Sequence, residues 1–230
     1  MTTISELKQA LRSLSAAELE SIADWLEGEV EESRYRAFHV REAQPEYLSE
    51  EPLFMTWEEY LAFEEQSPYR HEYVNGTVYA MSGASLSHNR IAQELVVAFR
   101  SHLRGGPCEP FLLQVKLEIR AGSDLIMYYP DVMVSCRPED RTDQVVRNPK
   151  LVVEILSKST QHIDRREKAM TYQRVEAIEE YVLVAQNQLR VIVHRRAEGW
   201  RPMLYTEAAA LVEFRSIGLS VPLEQIYQGY

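Results

Sequence analysis

From about residue 69 onward, the apolar and polar positions fall into the short periods of an α/β chain. The run RHEYVNGTVYAM (70–81) places an Asn75-Gly76 pair between two β-rich stretches, a strong hairpin signal. Residues 85–104 repeat apolar positions at helical spacing, with Ile91, Leu95, Phe99 and Leu103 (or Val96) inward, and Gly105-Gly106 stops that helix. FLLQVKLEIR (111–120) alternates as a half-exposed strand, with Leu113, Val115, Leu117 and Ile119 on one face and Gln114, Lys116 and Glu118 on the other. Strands are expected at 128–136 and 151–156, a helix at about 162–175, and strands at 180–185 and 189–195. The order is α-β-β-β-α-β with an extra hairpin at each end, and the fold class is α/β (α+β).

The leading part reads differently. Residues 3–33 predict two short helices, the second opened by a Ser15/Glu18 capping box and carrying Leu19, Ile22, Ala23 and Leu26 on one face. The charged stretch 27–51, with Pro45 and then Pro52, reads as a linker, and Thr56 is placed to cap a third helix through Trp57, Tyr60, Leu61 and Phe63. This predicts an acidic helical appendage over 1–50 and a main domain over 51–230. No apolar run approaches the roughly 18 residues of a membrane span, and MTTISELKQ lacks the features of a signal peptide, so a soluble cytosolic protein is expected. Cys108 and Cys136 lie in apolar contexts without Cys-x-x-Cys spacing and are expected to be reduced packing residues.

The net charge of −10 argues at first against a polyanionic partner. Its distribution alters that, since residues 1–65 hold 16 acids against 5 bases and residues 66–230 hold 19 against 20. The acidity belongs to the leading segment, which suits a basic partner or an autoinhibitory cover. The main domain, electrically neutral with clustered bases such as Arg165, Arg166 and Lys168, remains compatible with nucleic acid.

Two carboxylates interrupt this pattern. Asp131 sits in YYPDVMVSC (128–136) and Glu154 in PKLVVEILSKST (149–160), each alone in an apolar run of strand length. Burying an ionised carboxylate costs several kcal/mol unless a cation or dense hydrogen bonding compensates it. A shared divalent metal compensates both; the alternative is that each acid lies at a strand end and pairs with an arginine. Pro130 biases Tyr129 toward extended geometry, which suits a strand start at Asp131.

A chain of this order, with Pro-Asp opening one strand and an acid on the next, is similar to the PD-(D/E)XK, or restriction-endonuclease-like, superfamily. HEYVNGTVYAMSGAS (71–85), His88, YYPDVMVSC, VVEILSKST and DRREKAMTYQR (164–174) together resemble, over about 53–230, a widespread bacterial family classed with restriction endonucleases of that fold, the Uma type. The resemblance implies a mixed sheet flanked by helices and a metal-dependent endonuclease that hydrolyses DNA phosphodiesters as a homodimer. Asp131 and Glu154 would hold Mg²⁺ or Mn²⁺. The typical motif carries a lysine two residues after the second acid, where this chain has Leu156.

Three lysines are candidates to replace it. Lys168 comes first, on a helical stripe with Asp164 and Tyr172; Lys116 follows, on the polar face of the strand before Asp131, and then Lys158 in a turn. Glu72 either adds a third acid to the site or faces solvent on the hairpin, and His88 is either a site residue or an ordinary first-turn residue after Ser87. Glu94 is a weaker candidate on the same helix. The missing lysine at 156 favours the alternative of a catalytically inactive nuclease fold serving as a nucleic-acid-binding or oligomerisation module. A third reading is a scaffold whose leading helices bind a protein partner.

Overall fold

The computed structural model describes residues 53–228 apart from 82, 113, 143 and 158–166, all within the compact unit Glu46–Tyr230. The two leading helices, the 27–51 linker, Lys158 and Asp164 lie outside the described residues. In chain order the elements begin with β1 (Leu53–Phe54), α1 (Trp57–Gln66), the hairpin β2 (His71–Val74) and β3 (Thr77–Ala80), and α2 (Leu86–Leu103). They continue with β4 (Glu109–Leu112), β5 (Lys116–Ala121), β6 (Asp124–Tyr128), β7 (Val132–Ser135), β8 (Val145–Val146) and β9 (Leu151–Leu156). After α3 (Ala169–Arg174) come β10 (Glu180–Ala185), β11 (Val191–Arg195), β12 (Pro202–Tyr205), the pair β13 (Leu211–Phe214) and β14 (Leu219–Pro222), and α4 (Leu223–Ile226).

The strands form two large mixed sheets. The first has the order β1-β3-β2-β6-β5-β8 and the second β12-β11-β10-β9-β7-β4. β9 and β10 are parallel and buried at every residue, as expected of central strands covered on both faces. One face of the second sheet, through Val132, Val153, Ile155, Val182 and Val184, packs on Ile91, Ala92, Leu95 and Phe99 of α2. Its other face, through Met133, Val152 and Tyr181, shares a core with Leu117, Ile126 and Tyr128 of the first sheet and Tyr172 of α3. α1 covers the outer face of the first sheet with Trp57 and Tyr60 against Tyr73, Val78 and Met127.

Thr56 caps α1 in a full capping box with Glu59, as the sequence predicts, whereas α2 is capped by Ser85 rather than by Ser87. The Asn75-Gly76 turn has both residues at positive φ, the geometry that selects this dipeptide in a two-residue hairpin. Among the described residues, no helix is long and apolar enough to cross a membrane.

Three sequence expectations need correction. The single strand expected over 111–120 is two strands: the chain leaves the second sheet after β4, bends at Gln114, and enters the first as β5. The strand expected over 128–136 is likewise split at Tyr129-Pro130-Asp131, where the chain returns to the second sheet. Proline removes a ladder donor, so the break falls there. Apolar alternation continues through both crossings because each sheet presents a face to the same core, and the period alone does not register the switch. Third, Cys108 and Cys136 form a disulfide rather than reduced packing residues. They flank β4 and β7 one step beyond the Glu109↔Ser135 pair, so antiparallel pairing brings together two cysteines 28 positions apart in sequence. Of the helix expected at about 162–175, the described part includes α3, and Lys168 directly precedes it.

Candidate active site

The strand crossing that splits 128–136 also builds the site. Because β7 and β9 pair antiparallel with Val132 opposite Val153, the register carried one residue outward sets Asp131 opposite Glu154. The two acids therefore meet at the mouth of the second sheet, where the chain enters from the first. The Asp131 backbone N–H approaches Glu154 Oε2 at 3.4 Å, and Asp131 Oδ2 accepts from the Ile155 N–H at 2.7 Å.

Each acid is fixed from a different layer. His88, in the first turn of α2, places Nε2 3.0 Å from Asp131 Oδ2. A carboxylate oxygen only accepts, so Nε2 carries the proton, and the buried Nδ1 has no hydrogen-bond partner among the described residues. Ser85 Oγ accepts from the His88 N–H and donates to Gln186 just beyond β10, tying the helix start to the sheet end. Glu154, only 2% exposed, takes Lys168 Nζ at 3.2 Å and the Tyr172 hydroxyl at 2.9 Å, both on Oε1. Lys168 Nζ also lies 2.9 Å from Glu72 Oε1 on β2, with the Tyr128 ring beneath it at 5.1 Å. A single ammonium thus bridges carboxylates contributed by both sheets.

A further layer supports the crossing from behind. Glu64 of α1 is 2% exposed and accepts from the Tyr129 hydroxyl at 2.6 Å and from the His71 N–H at 3.2 Å, with His71 Nδ1 2.9 Å from its other oxygen. Tyr129 in turn donates its backbone N–H to Glu72 Oε1 at 3.2 Å. Sequence reasoning missed Glu64, although a signal was present: Trp57, Tyr60 and Glu64 fall at i, i+3 and i+7, so the acid shares the aromatic, core-facing side of α1. The tyrosines around the site are held protonated. Burial pushes the Tyr128 phenol up to about 12, burial and then the Glu154 carboxylate raise Tyr172 well above the usual range, and burial with the Glu64 hydrogen bond raises Tyr129.

Of the residues singled out from the sequence, Asp131, Glu154, Lys168, Glu72 and His88 come together here. Lys116 does not. Its neighbour Leu117 faces the shared core beside Tyr128, so strand alternation turns Lys116 to the α1 side of the first sheet, away from Lys168. The polar face of β5 is real, but it fronts the opposite layer, where buried Glu118 pairs with Arg120 and Arg147. Glu94 is half-buried on α2 and has no hydrogen bond or ion pair among the described residues.

The donor set is compatible with a hard divalent cation: two carboxylates abut on paired strand positions, one oxygen of each already anchored by protein donors. Among the described residues, no group of three or more His, Cys, Asp or Glu is arranged to hold a metal, so an ion would draw its remaining ligands from water or substrate.

Two mixed sheets joined by this crossing, with two acids in cross-strand register and a lysine directly ahead of α3, define a restriction-endonuclease-like fold. The fold is shared with the crystal structure of a protein from Anabaena variabilis described as "a putative nuclease belonging to DUF820", with a TM-score of 0.62 and 17% identity over 75% of this chain and 97% of that one. Residues 57–224 match the Uma2 family, described as "Putative restriction endonuclease", and the chain belongs to that family. Two uncharacterized proteins of Synechocystis sp. are related: one is 37% identical, covering 75% of this chain and 90% of the relative, and the other 33% identical, covering 66% and 86%.

Proposed function

We propose that this protein is a metal-dependent endonuclease that hydrolyses DNA phosphodiesters. The observation that carries the reading is the convergence of Asp131, Glu154 and Lys168 where the chain passes between sheets, with the acids in cross-strand register. Mg²⁺ or Mn²⁺ held by Asp131 and Glu154 would supply Lewis acidity and lower the pKa of water. The remaining work belongs to the chain. His88 and the Ile155 N–H hold Asp131 Oδ2, and Tyr172 with Lys168 holds Glu154 Oε1, so neither carboxylate is free to rotate away. Lys168, in the role that the motif lysine would have at Leu156, orients the attacking water or stabilises charge developing on the phosphorane. Glu72, 2.9 Å from that ammonium, holds it beside the acids.

The protein acts as a symmetric homodimer in this proposal, since two sites related by a twofold axis address the two strands of a duplex. The alternative of an inactive nucleic-acid-binding module is favoured by the lysine's own contacts, which leave it bridging Glu72 and Glu154. Incubation of plasmid and single-stranded DNA with Mg²⁺ or Mn²⁺ separates the two. Cleavage that is lost with EDTA, in Asp131→Asn and in Lys168→Met supports hydrolysis; binding of DNA with no cleavage under any of these conditions favours the module.

A further inference from the structure

We infer that Arg70 is the phosphate-contacting residue of this site and grips the sugar-phosphate backbone of a nucleic-acid strand beside the acids. The inference rests on the nuclease reading and adds to it the group that receives the substrate. Met81 donates its N–H to the Arg70 carbonyl at 2.9 Å, which continues the β2–β3 ladder one step past His71↔Ala80. Strand alternation then puts Arg70 on the face of Glu72, the acid that meets Lys168, while His71 between them turns to Glu64.

Arg70 is exposed, and its guanidinium carbon lies 5.5 Å from the centre of the Tyr129 ring. That ring is an immobile platform because its hydroxyl is held by buried Glu64 and its backbone by Glu72. Among the described residues, no carboxylate pairs with Arg70. Lys168, by contrast, has two carboxylate partners, and Arg174, at the end of α3, pairs with Asp124. The ring contact, with a guanidinium N–H directed at the Tyr129 hydroxyl, holds Arg70 at this platform and leaves its remaining N–H donors available to a phosphate.

Charge makes the same demand. Glu72, Asp131, Glu154 and Glu64 crowd the crossing, and Lys168 alone does not offset them, so a phosphodiester approaching from solvent meets net negative potential unless an outer cation receives it. Arg70 is positioned two residues from Glu72 and against Tyr129, whose chain runs directly into Pro130-Asp131. A lysine there would supply charge but not the stacked, bidentate geometry.

The test is salt-dependent binding of a short fluorescent duplex DNA in Mg²⁺, in an Asp131→Asn background that suppresses cleavage. Arg70→Ala should weaken binding severalfold for every sequence tried and reduce the slope of log K against log salt by about one between about 50 and 200 mM. Arg70→Lys should keep the slope while losing part of the affinity. Arg201→Ala, exposed beside β12 at the far edge of the second sheet, serves as the control and should leave the slope unchanged. If the protein binds DNA but Arg70→Ala behaves as Arg201→Ala does, Arg70 is not a phosphate contact and the nuclease reading stands. If neither the background variant nor the wild type binds DNA, the inference and the nuclease reading fail together.

Discussion

Replacing Lys168 with methionine is the perturbation for which the structure gives the clearest magnitude. The Lys168 side chain is buried, and its ammonium contacts Glu72 at 2.9 Å and the equally buried Glu154 at 3.2 Å. Removing one member of a buried ion pair typically costs about 3–5 kcal/mol because the charge left behind is uncompensated. Glu154 keeps the Tyr172 hydroxyl and Glu72 keeps the Tyr129 N–H, which places the metal-free loss near the lower end, about 3 kcal/mol. For a domain of this size that corresponds to a fall in Tm of about 6–12 °C. Lys116→Met, on the opposite side of the first sheet, should stay within about 0.5 kcal/mol of wild type. Urea denaturation in EDTA measures both, and the double variant Lys168→Met/Glu154→Gln should recover part of the loss, because the more deeply buried of the two stranded charges has gone. Equal stability of wild type and Lys168→Met would show that the ammonium does not compensate the acids, and the site's electrostatics would need to be redrawn.

Other expectations follow from the same contacts. Tyr128, Tyr129 and Tyr172 have phenols raised by burial first, so above their ordinary pKa of about 10 the unfolded chain releases protons that the folded one keeps. Stability should be unaffected by these groups below that pH and fall as pH rises past it, with phenolate absorbance appearing together with loss of circular dichroism; reversible titration of every tyrosine near pH 10 in an intact fold would contradict this. Light scattering at micromolar concentration should give the mass of a dimer, and a monomeric mass counts against symmetric double-strand cleavage. Deleting residues 1–50 should raise DNA affinity most at low salt, where screening is weakest, and unchanged affinity there would exclude an electrostatic cover.

Much of the site was legible because burying charge is expensive. Asp131 and Glu154 stand out as carboxylates inside apolar strands, and Lys168 through its place on a helical stripe with Asp164 and Tyr172. Glu72 and His88 each have an ordinary local explanation in the sequence, and only the pairing of β2 with β6 and the packing of α2 on the second sheet bring them to the acids. Lys116 misled because alternation identifies a polar face without telling which layer that face meets. The disulfide was missed for a related reason: the Cys108 and Cys136 spacing carries no motif, and only the β4–β7 register makes them neighbours. The sheet crossings at 114–115 and 129–131 are invisible to periodicity, although Pro130 marks one of them.

The most direct test of the central claim is a crystal soaked in Mn²⁺ and measured at the manganese absorption edge. The account predicts an anomalous peak bounded by the carboxylates of Asp131 and Glu154, absent from Asp131→Asn crystals treated in the same way. Anomalous density found only elsewhere, with Glu154 still bound to Lys168 and no ion beside Asp131, would contradict it.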